Sequence, residues 1–258
     1  MNPVELLGPD YDTPPYAQLP VESCLLICTT PRIGGHALAA AFLAQGWGTP
    51  LEYFNPDSMI PLQKRWIDSS VGNYTAAKEN LEIYGKHLAE KRSTSHLFSV
   101  KLLPDQMALF GKSFGNSSSI THFVHLSRRD RTAQAISLAA TLLTRHAFDN
   151  NFEFKYIPKV KEIDDKRMTE IFNWLTAGEA FWHAHIAKIP KSRSLHFHWE
   201  DFQADPKSCF SAIGEKFSLP FSSDKVGRFD QPYNADTELK MELKKRFGNL
   251  LERLQRDA

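Results

Sequence analysis

A short segment between Thr29 and His36 has the residue types of a small anion-binding site. Its two glycines, Gly34 and Gly35, allow a tight backbone turn after an apolar stretch, and helical periodicity begins directly after them. The N-terminus of a helix offers free backbone N–H groups and the positive end of the helix dipole, which bind phosphate or sulfate groups. Arg32 would add a fixed cation beside them. From glycine spacing alone, however, a plain strand-to-helix connection with an exposed arginine is the simpler interpretation.

A second candidate anion site begins at the paired arginines Arg128 and Arg129. Either guanidinium could meet a phosphate, and Ser137, two helical turns further on, could donate its hydroxyl. Asp130 suits the N-terminal position of a helix. Taken alone, the segment is more simply a solvated basic helix start. Two anion sites at neighbouring strand ends would together fit a nucleotide that carries phosphate groups at both ends.

Glu52 is the candidate general base. It stands in the aromatic loop Pro50–Phe54, which follows the first predicted helix. A carboxylate held beside an anion site can remove a proton from a reacting hydroxyl. The alternative interpretation is an ordinary surface glutamate.

The ten histidines raise the question of a metal site. His183 and His185 are two residues apart on a predicted helix, so their side chains point to different faces. His196 and His198 could share one face of a strand. Since no cysteine or carboxylate cluster in the sequence completes a zinc site, we expect buried or surface histidines and no metal.

The elements that must position these residues follow from hydrophobic patterning. Four short strands are predicted over residues 23–29, 97–102, 120–126 and 194–199. Helices are predicted over residues 36–45, 75–90, 131–147, 168–188 and 239–254, and a loop over residues 49–61. Strands that alternate with helices indicate an α/β fold with a mainly parallel central sheet flanked by helices. Ligands of such sheets bind at the carboxyl ends of the strands, where the segments Thr29–His36 and Ser127–Ser137 fall.

Composition narrows the function classes. The 258 residues include 31 Lys plus Arg and 30 Asp plus Glu, for a formal net charge of +1. This balance argues against a nucleic-acid partner bound by bulk charge. The chain has no apolar run of membrane-spanning length, and its N-terminus lacks the features of a signal peptide. Three cysteines without a CxxC motif indicate buried thiols in a reducing compartment, so we expect a cytoplasmic protein.

Residues 1–20 contain five prolines and predict an irregular N-terminal arm. This arm could lie over the body of the chain or over a partner subunit. Residues 21–258 show no internal repeat and no clear boundary, so we expect a single α/β domain. The amphipathic helix over 239–254 is a candidate contact for a homodimer, as is the proline-rich arm, although packing of the helix against its own sheet explains its apolar face at least as well.

Five segments, in this order, resemble motifs of the bacterial carbohydrate sulfotransferases typified by trehalose 2-sulfotransferase. The family has a Pro-Arg-Thr-Gly-Ser-Thr turn, a Pro-x-Glu-Tyr/Trp-Phe loop and a Val-Lys strand. It continues with Leu-x-Arg-Arg-Asp before Gln-Ala-x-Ser, and with Tyr-Glu-Asp-Leu before Asp-Pro. The similar segments here are Pro31–His36, Pro50–Phe54, Val100–Lys101, Leu126–Ser137 and Trp199–Pro206. The resemblance spans most of residues 23–250 and implies a P-loop-like sulfotransferase fold.

The resemblance also implies the reaction. The sulfuryl donor would be 3′-phosphoadenosine 5′-phosphosulfate (PAPS), and the acceptor a small sugar or glycolipid hydroxyl. Glu52 matches the family's general base, and Arg32 would stabilise the leaving phosphate. The resemblance implies donor contacts from Pro31, Arg32, Ile33, Gly34, Gly35, His36 and Ala37. The 3′-phosphate would meet Ser137 and one of the two arginines, with a slight preference for Arg129. No metal is needed.

Two departures from the family pattern leave an alternative open. Gly35 and His36 replace the family's Ser-Thr, which removes two hydroxyl donors. His36 could replace them or block the pocket, and Thr29 and Thr30 could supply hydroxyls. An arginine near the C-terminus is replaced at Tyr233. A catalytically impaired sulfotransferase-like protein that binds a nucleotide or a sugar is therefore the alternative. A P-loop kinase is less consistent, because no Gly-Lys-Ser/Thr follows the first strand.

Overall fold

Five β-strands form one sheet in the computed structural model, which describes residues 6–13, 21–94, 96–115, 120–143, 163–227 and 237–257. The strands are β1 (Ser23–Thr29), β2 (Ser93–Thr94), β3 (Leu97–Leu102), β4 (Ile120–Ser127) and β5 (Ser194–His198). Their order across the sheet is β2-β3-β1-β4-β5, with β1 in the centre. The strands β3, β1, β4 and β5 are parallel, and β2 pairs antiparallel with β3. The predicted mainly parallel sheet is therefore confirmed, while the two-residue β2 is too short to show any periodicity.

Helices cover both faces of this sheet. They are α1 (Gly35–Gln45), α2 (Pro56–Trp66), α3 (Tyr74–Glu79), α4 (Leu81–Arg92), α5 (Met107–Phe114), α6 (Arg131–Leu143), α7 (Asp165–Ile186), α8 (Trp199–Ala204), α9 (Pro206–Phe217) and α10 (Thr237–Asp257). None of them has both the length and the apolar composition that crossing a membrane requires. The prediction of a strand, a turn and a helix over residues 23–46 is confirmed. The part of the predicted helix over 144–147 lies outside the described residues.

Two predictions from the proline and polar pattern are only partly right. The expected loop over residues 49–61 is confirmed for residues 49–55, but residues 56–61 are the start of α2, because Pro56 occupies a first-turn position where proline is tolerated. Asn55 caps this helix by accepting a hydrogen bond from the backbone of Asp57 at 3.1 Å. The single helix expected over 75–90 is two helices, since Asn80 adopts a non-helical backbone conformation between α3 and α4.

Strand β1 is buried on both faces, as its uninterrupted apolar sequence predicts. Cys24 and Cys28 point into a core with α2, α4 and α5, whereas Leu25 and Ile27 point into a core with α1 and α9. Burial raises the pKa of the Cys24 thiol to about 12 and lifts the pKa of Cys28 well above its ordinary value. Both thiols are therefore protonated and inert, as the cysteine count indicates.

The described part of the N-terminal arm lies against the chain's own body. Leu6 is buried, and the Arg92 guanidinium donates to its carbonyl at 2.6 Å. Asp12 forms ion pairs with Arg65 at 2.9 Å and with Arg92 at 2.8 Å. Residues 6–13 of the arm thus lie over the body of their own chain, which was one of the two expected placements. Residues 1–5 and 14–20 lie outside the described residues.

The apolar face of α10 is covered by its own chain. Leu243, Phe247 and Leu251 are fully buried in a third core, which α6 and α7 complete. Of the two explanations for the amphipathic C-terminal helix, packing within the chain is the one observed, although against helices rather than against the sheet.

Candidate active site

The connection from β1 to α1 is held in an uncommon backbone conformation. Both Arg32 (φ 67°) and Gly34 (φ 58°) are left-handed, which is unusual for a residue with a side chain such as arginine. A Cβ atom on Gly34 would run into the indole ring of Trp199, so a glycine is required there by contact as well as by φ. In the part of the chain that the structure describes, no side chain caps the N-terminus of α1 at Gly34. The first N–H groups of α1 are thus available to an anion.

Three side-chain hydrogen bonds from neighbouring helices fix this turn. The Gln134 amide on α6 donates to the Thr30 hydroxyl at 2.9 Å and to the Pro31 carbonyl at 2.7 Å. The Trp182 indole N–H on α7 donates to the Thr29 carbonyl at 2.8 Å. Each bond stabilises the turn by about 1 kcal/mol. The sequence contains Gln134 within the Gln-Ala-x-Ser motif, but nothing local to either residue reveals that its partner is the turn.

The hydroxyls of Thr29 and Thr30 do not face the open side of the turn. Thr29 donates to the Thr30 carbonyl at 3.0 Å, and both residues are buried. The idea that these threonines replace the missing family hydroxyls is therefore wrong, because the sheet and α6 enclose them.

Residues of the two predicted anion sites are in contact with each other. Arg32 Nε donates to Ser137 Oγ at 3.1 Å, and the Arg128 guanidinium donates to the Arg32 carbonyl at 3.2 Å. Arg128 is partly buried, and its Nε atom is enclosed without a hydrogen-bond partner among the described residues. Burial lowers the pKa of Arg128, against the opposing effect of Asp130 and Glu200.

Arg129 points elsewhere. Its guanidinium pairs with Asp201 at 2.7 Å, and about half of its side chain is exposed. The backbone N–H groups of Arg129 and Asp130 both donate to the Glu200 carboxylate at 3.2 Å. Although partial burial raises the pKa of Glu200, hydrogen bonds from its own backbone N–H and from these two N–H groups lower it below the ordinary value for glutamate. The β5–α8 connection thus braces the start of α6, where Asp130 accepts from the Ala133 N–H at 2.7 Å, as a helix-capping residue should.

Glu52 lies one strand away at the same edge of the sheet. The Lys101 ammonium on β3 donates to Glu52 Oε1 at 2.6 Å, and the Asn55 amide donates to Oε2 at 3.2 Å. Lys101 also donates its backbone N–H to the Leu51 carbonyl at 3.0 Å. Since Lys101 pairs in register with Ile27, two residues before the end of β1, the carboxylate sits near the carboxyl ends of both strands.

Buried tyrosines make the loop of Glu52 rigid. Tyr53 and Phe54 are fully buried. The Tyr53 hydroxyl donates to the Thr49 carbonyl at 2.7 Å, and the Tyr84 hydroxyl donates to the Tyr53 carbonyl at 2.9 Å. Glu52 is therefore a held carboxylate with a quarter of its side chain exposed, rather than a mobile surface residue.

The structure also gathers a cluster that the sequence does not predict. His125 on β4, Glu179 on α7 and His196 on β5 place one ligand-type atom each within 4.8 Å of the others. Burial and then the neighbouring imidazoles of His125, His198 and His183 lower the pKa of His196 to about 4. The expectation that no carboxylate accompanies the histidines is therefore wrong, because Glu179 reaches them from a distant part of the chain.

Of the residues predicted for the donor site, Arg32, Gly34, Arg128 and Ser137 come together, with Glu52 at the same edge. Pro31 and buried Ile33 complete the turn, and Gly35, His36 and Ala37 form the first turn of α1. The replaced family arginine at Tyr233 lies outside the described residues.

Comparison with known proteins agrees with this geometry. The sequence model of a family described as Stf0 sulphotransferase matches residues 24–220. The sulfotransferase STF9 of Mycobacterium avium is similar in structure, with a TM-score of 0.52, 13% identity, and coverage of 91% of this chain and 77% of that chain. A sulfotransferase domain from the curacin biosynthetic pathway aligns with a TM-score of 0.49 and 14% identity over 85% of this chain and 81% of that chain. A search of curated protein sequences finds no significant match.

The likeness to STF9 and the parallel sheet confirm the predicted P-loop-like sulfotransferase fold. The matched range runs from the first strand to beyond α9 and includes the turn, the Glu52 loop, both arginines and Ser137. Because that match covers well over half of the sequence, the chain belongs to the Stf0 sulphotransferase family.

Proposed function

We propose that this protein transfers a sulfuryl group from PAPS to a hydroxyl of a carbohydrate or glycolipid. The observation that carries the proposal is the contact between Arg32 and Ser137, which joins two anion sites at the ends of β1 and β4. A single nucleotide with phosphates at both ends requires such a pair of adjacent sites. The family supports sulfuryl transfer, and the donor and acceptor are our inference.

The proposed binding mode assigns the 5′-phosphosulfate to the open N–H groups of α1, at residues Gly35 to Ala37. The 3′-phosphate would take the Ser137 hydroxyl and the guanidinium of Arg128, which already contacts the Arg32 carbonyl. Arg128 is preferred here over Arg129, because Arg128 contacts the turn while Arg129 pairs with Asp201.

In the proposed reaction, Glu52 takes the proton from the acceptor hydroxyl as its oxygen attacks sulfur. The bond from sulfur to the bridging phosphate oxygen breaks, and its electron pair stays on the 5′-phosphate. Arg32 and the N-terminus of α1 stabilise that charge. Lys101 and Asn55 hold the carboxylate in one orientation, so catalysis depends on positioning and electrostatics.

The catalytically impaired binding protein remains the second candidate. Its support is the Gly35–His36 pair at the place of the family's Ser-Thr, together with the enclosed hydroxyls of Thr29 and Thr30. Such a protein would bind the nucleotide through Arg128 and Ser137 without turnover.

Thermal unfolding with adenosine 3′,5′-bisphosphate or ATP tests the proposal first. A ligand that binds the native state raises the melting temperature, so we expect a rise with the bisphosphate and none with ATP plus Mg²⁺. Radiolabelled PAPS with trehalose and other sugars then tests transfer. Failure of the bisphosphate to bind would overturn the PAPS-dependent enzyme, stabilisation by ATP alone would favour a kinase, and binding without transfer would favour the second candidate.

A further inference from the structure

The cluster of His125, Glu179 and His196 joins three elements at the edge of the sheet. His125 on β4 and His196 on β5 are direct cross-strand partners, and their rings stack at 4.6 Å. Glu179 reaches over them from α7, with its Oε1 atom 3.0 Å from His125 Nε2. His183, one helical turn further along α7, places its Nε2 atom 3.3 Å from the same carboxylate oxygen.

Two facing polar atoms of this cluster belong to buried side chains and lack a hydrogen-bond partner among the described residues. His125 is 1% exposed and Glu179 is 5% exposed. Although His125 Nε2 and Glu179 Oε1 are in contact, neither has a well-aligned hydrogen-bond partner among the described residues. Buried polar atoms without such a partner are rare, and those that exist need an explanation. A metal ion between the two side chains would give both atoms a common partner.

We propose that His125, Glu179 and His196 form a binding site for a divalent transition-metal ion of the zinc type. Two imidazoles and a carboxylate are a common ligand set for Zn²⁺ with an open coordination position. With metal–ligand bonds of about 2.0–2.1 Å, tetrahedral ligands are about 3.3 Å apart. The contacts of Glu179 with His125 and His183, at 3.0 and 3.3 Å, agree with that spacing. His183 is the candidate fourth ligand.

The surroundings provide a supporting group and an entry path. The Ser127 hydroxyl lies 2.8 Å from His196 Nε2 and 2.6 Å from His198 Nδ1, and a hydrogen-bonded group of this kind fixes the orientation of a ligating ring. A cavity of about 310 Å³, lined by His125, His183 and His196 among others, opens beside the cluster. A hydrated ion can enter through it.

A bound ion would join α7 to β4 and β5, so its expected effect is on stability. Binding of the ion to this cluster does not require the sulfuryl donor. We would remove metal from the tag-free full chain with EDTA and titrate it with ZnCl₂, following thermal unfolding, and with CoCl₂, following visible absorption. At Zn²⁺ concentrations about 100-fold above the dissociation constant, the melting temperature should rise by about 5–10 °C. Co²⁺ should give the absorption bands of a tetrahedral site at one ion per chain.

Variants decide where the ion binds. The exposed ligand is changed in His196→Ala and the buried one in Glu179→Gln, and the matched control is His185→Ala on the other face of α7. In His196→Ala, Zn²⁺ affinity should fall by more than the roughly 10–100-fold that loss of a supporting group causes. Glu179→Gln should behave likewise if it folds, while His185→Ala should bind as the wild type does. A wild-type chain without a Zn²⁺ shift or a Co²⁺ band, or a His196→Ala variant with unchanged affinity, would overturn the proposal.

Discussion

Arg32 Nε donates a hydrogen bond to Ser137 Oγ at 3.1 Å, which joins the turn after β1 to the middle of α6. These two residues are far apart in the chain, and their contact brings the ends of two neighbouring parallel strands into one site. The hydroxyl that accepts from Arg32 keeps its own proton available for an anion. The contact thus places a cation and a hydroxyl donor from separate elements within reach of one anion.

Ser137→Ala should weaken the binding of adenosine 3′,5′-bisphosphate about tenfold or more. A hydrogen bond to a charged group is worth about 1.5–3 kcal/mol, and a change of 1.4 kcal/mol is about a factor of ten in affinity. Isothermal titration calorimetry measures the change. Thr141→Ala is the matched control, because the Thr141 hydroxyl on the same helix donates to the Ser137 carbonyl at 2.9 Å. Equal losses in the two variants would contradict a role for the Ser137 hydroxyl in binding.

Arg128→Ala and Arg129→Ala should differ sharply in nucleotide binding. Arg128 contacts the turn and carries an enclosed donor, so its loss should weaken binding of the bisphosphate about 10–100-fold. Arg129 forms an exposed pair with Asp201, and exposed pairs contribute about 0–1 kcal/mol to stability, so its loss should change affinity less than about threefold. A larger loss of affinity in Arg129→Ala than in Arg128→Ala, measured by calorimetry, would restore the earlier preference for Arg129.

Gly34→Ala should destabilise the protein by about 2–4 kcal/mol. The substitution adds the strain of a left-handed φ of 58° and drives a methyl group into the Trp199 ring. Gly46→Ala is a close control, because Gly46 has a φ of 76° but no atom lies within 4 Å of the position that a Cβ would take there, so it should cost only about 1 kcal/mol. Urea unfolding of both variants separates the two effects. Equal losses would mean that the Trp199 ring moves aside freely.

The local sequence pattern was sufficient to predict the β1–α1 unit and the loop of Glu52, because each is specified by residues adjacent in the chain. The β1–α1 unit is defined by its apolar strand, its two glycines and the C-cap Gly46. The same kind of pattern did not predict α2, where the prolines suggested a loop although Pro56 begins a helix. A proline is informative only together with its position in the helix, and the sequence alone does not give that position.

Contacts between distant segments explain the other differences between the sequence-based predictions and the structure. The choice between Arg128 and Arg129 depends on Asp201, which the β5–α8 connection brings to the end of β4. Glu179 reaches His125 only because α7 crosses the sheet at that point. Neither relationship produces a periodicity or a motif, so the sequence offered no signal for the histidine and glutamate cluster beyond the number of histidines.

Glu200→Gln should lower stability at neutral pH by about 1 kcal/mol, the usual contribution of an anionic group at a helix N-terminus. Since the folded protein lowers the pKa of Glu200, its contribution is complete above the ordinary pKa of glutamate. The contribution is lost as the pH falls through the lowered pKa, where the wild type is protonated as well. Urea unfolding from pH 7 to pH 3 should therefore show the two proteins converge at low pH. Glu252→Gln, which removes an exposed charge on α10, is the control; a difference that persists unchanged at pH 3 would contradict the ionic contribution.

Glu52→Gln should reduce kcat for sulfuryl transfer from PAPS about 10²–10⁴-fold, the range that general-base catalysis contributes, and leave affinity for the bisphosphate within about twofold. Lys101→Met should have a smaller effect on kcat, because it keeps the carboxylate but removes the ammonium that holds it at 2.6 Å. A residue with a purely structural role would change thermal stability and leave kcat unchanged. Full activity of Glu52→Gln in the radiolabelled transfer assay would remove Glu52 as the base and leave its pair with Lys101 as a structural contact.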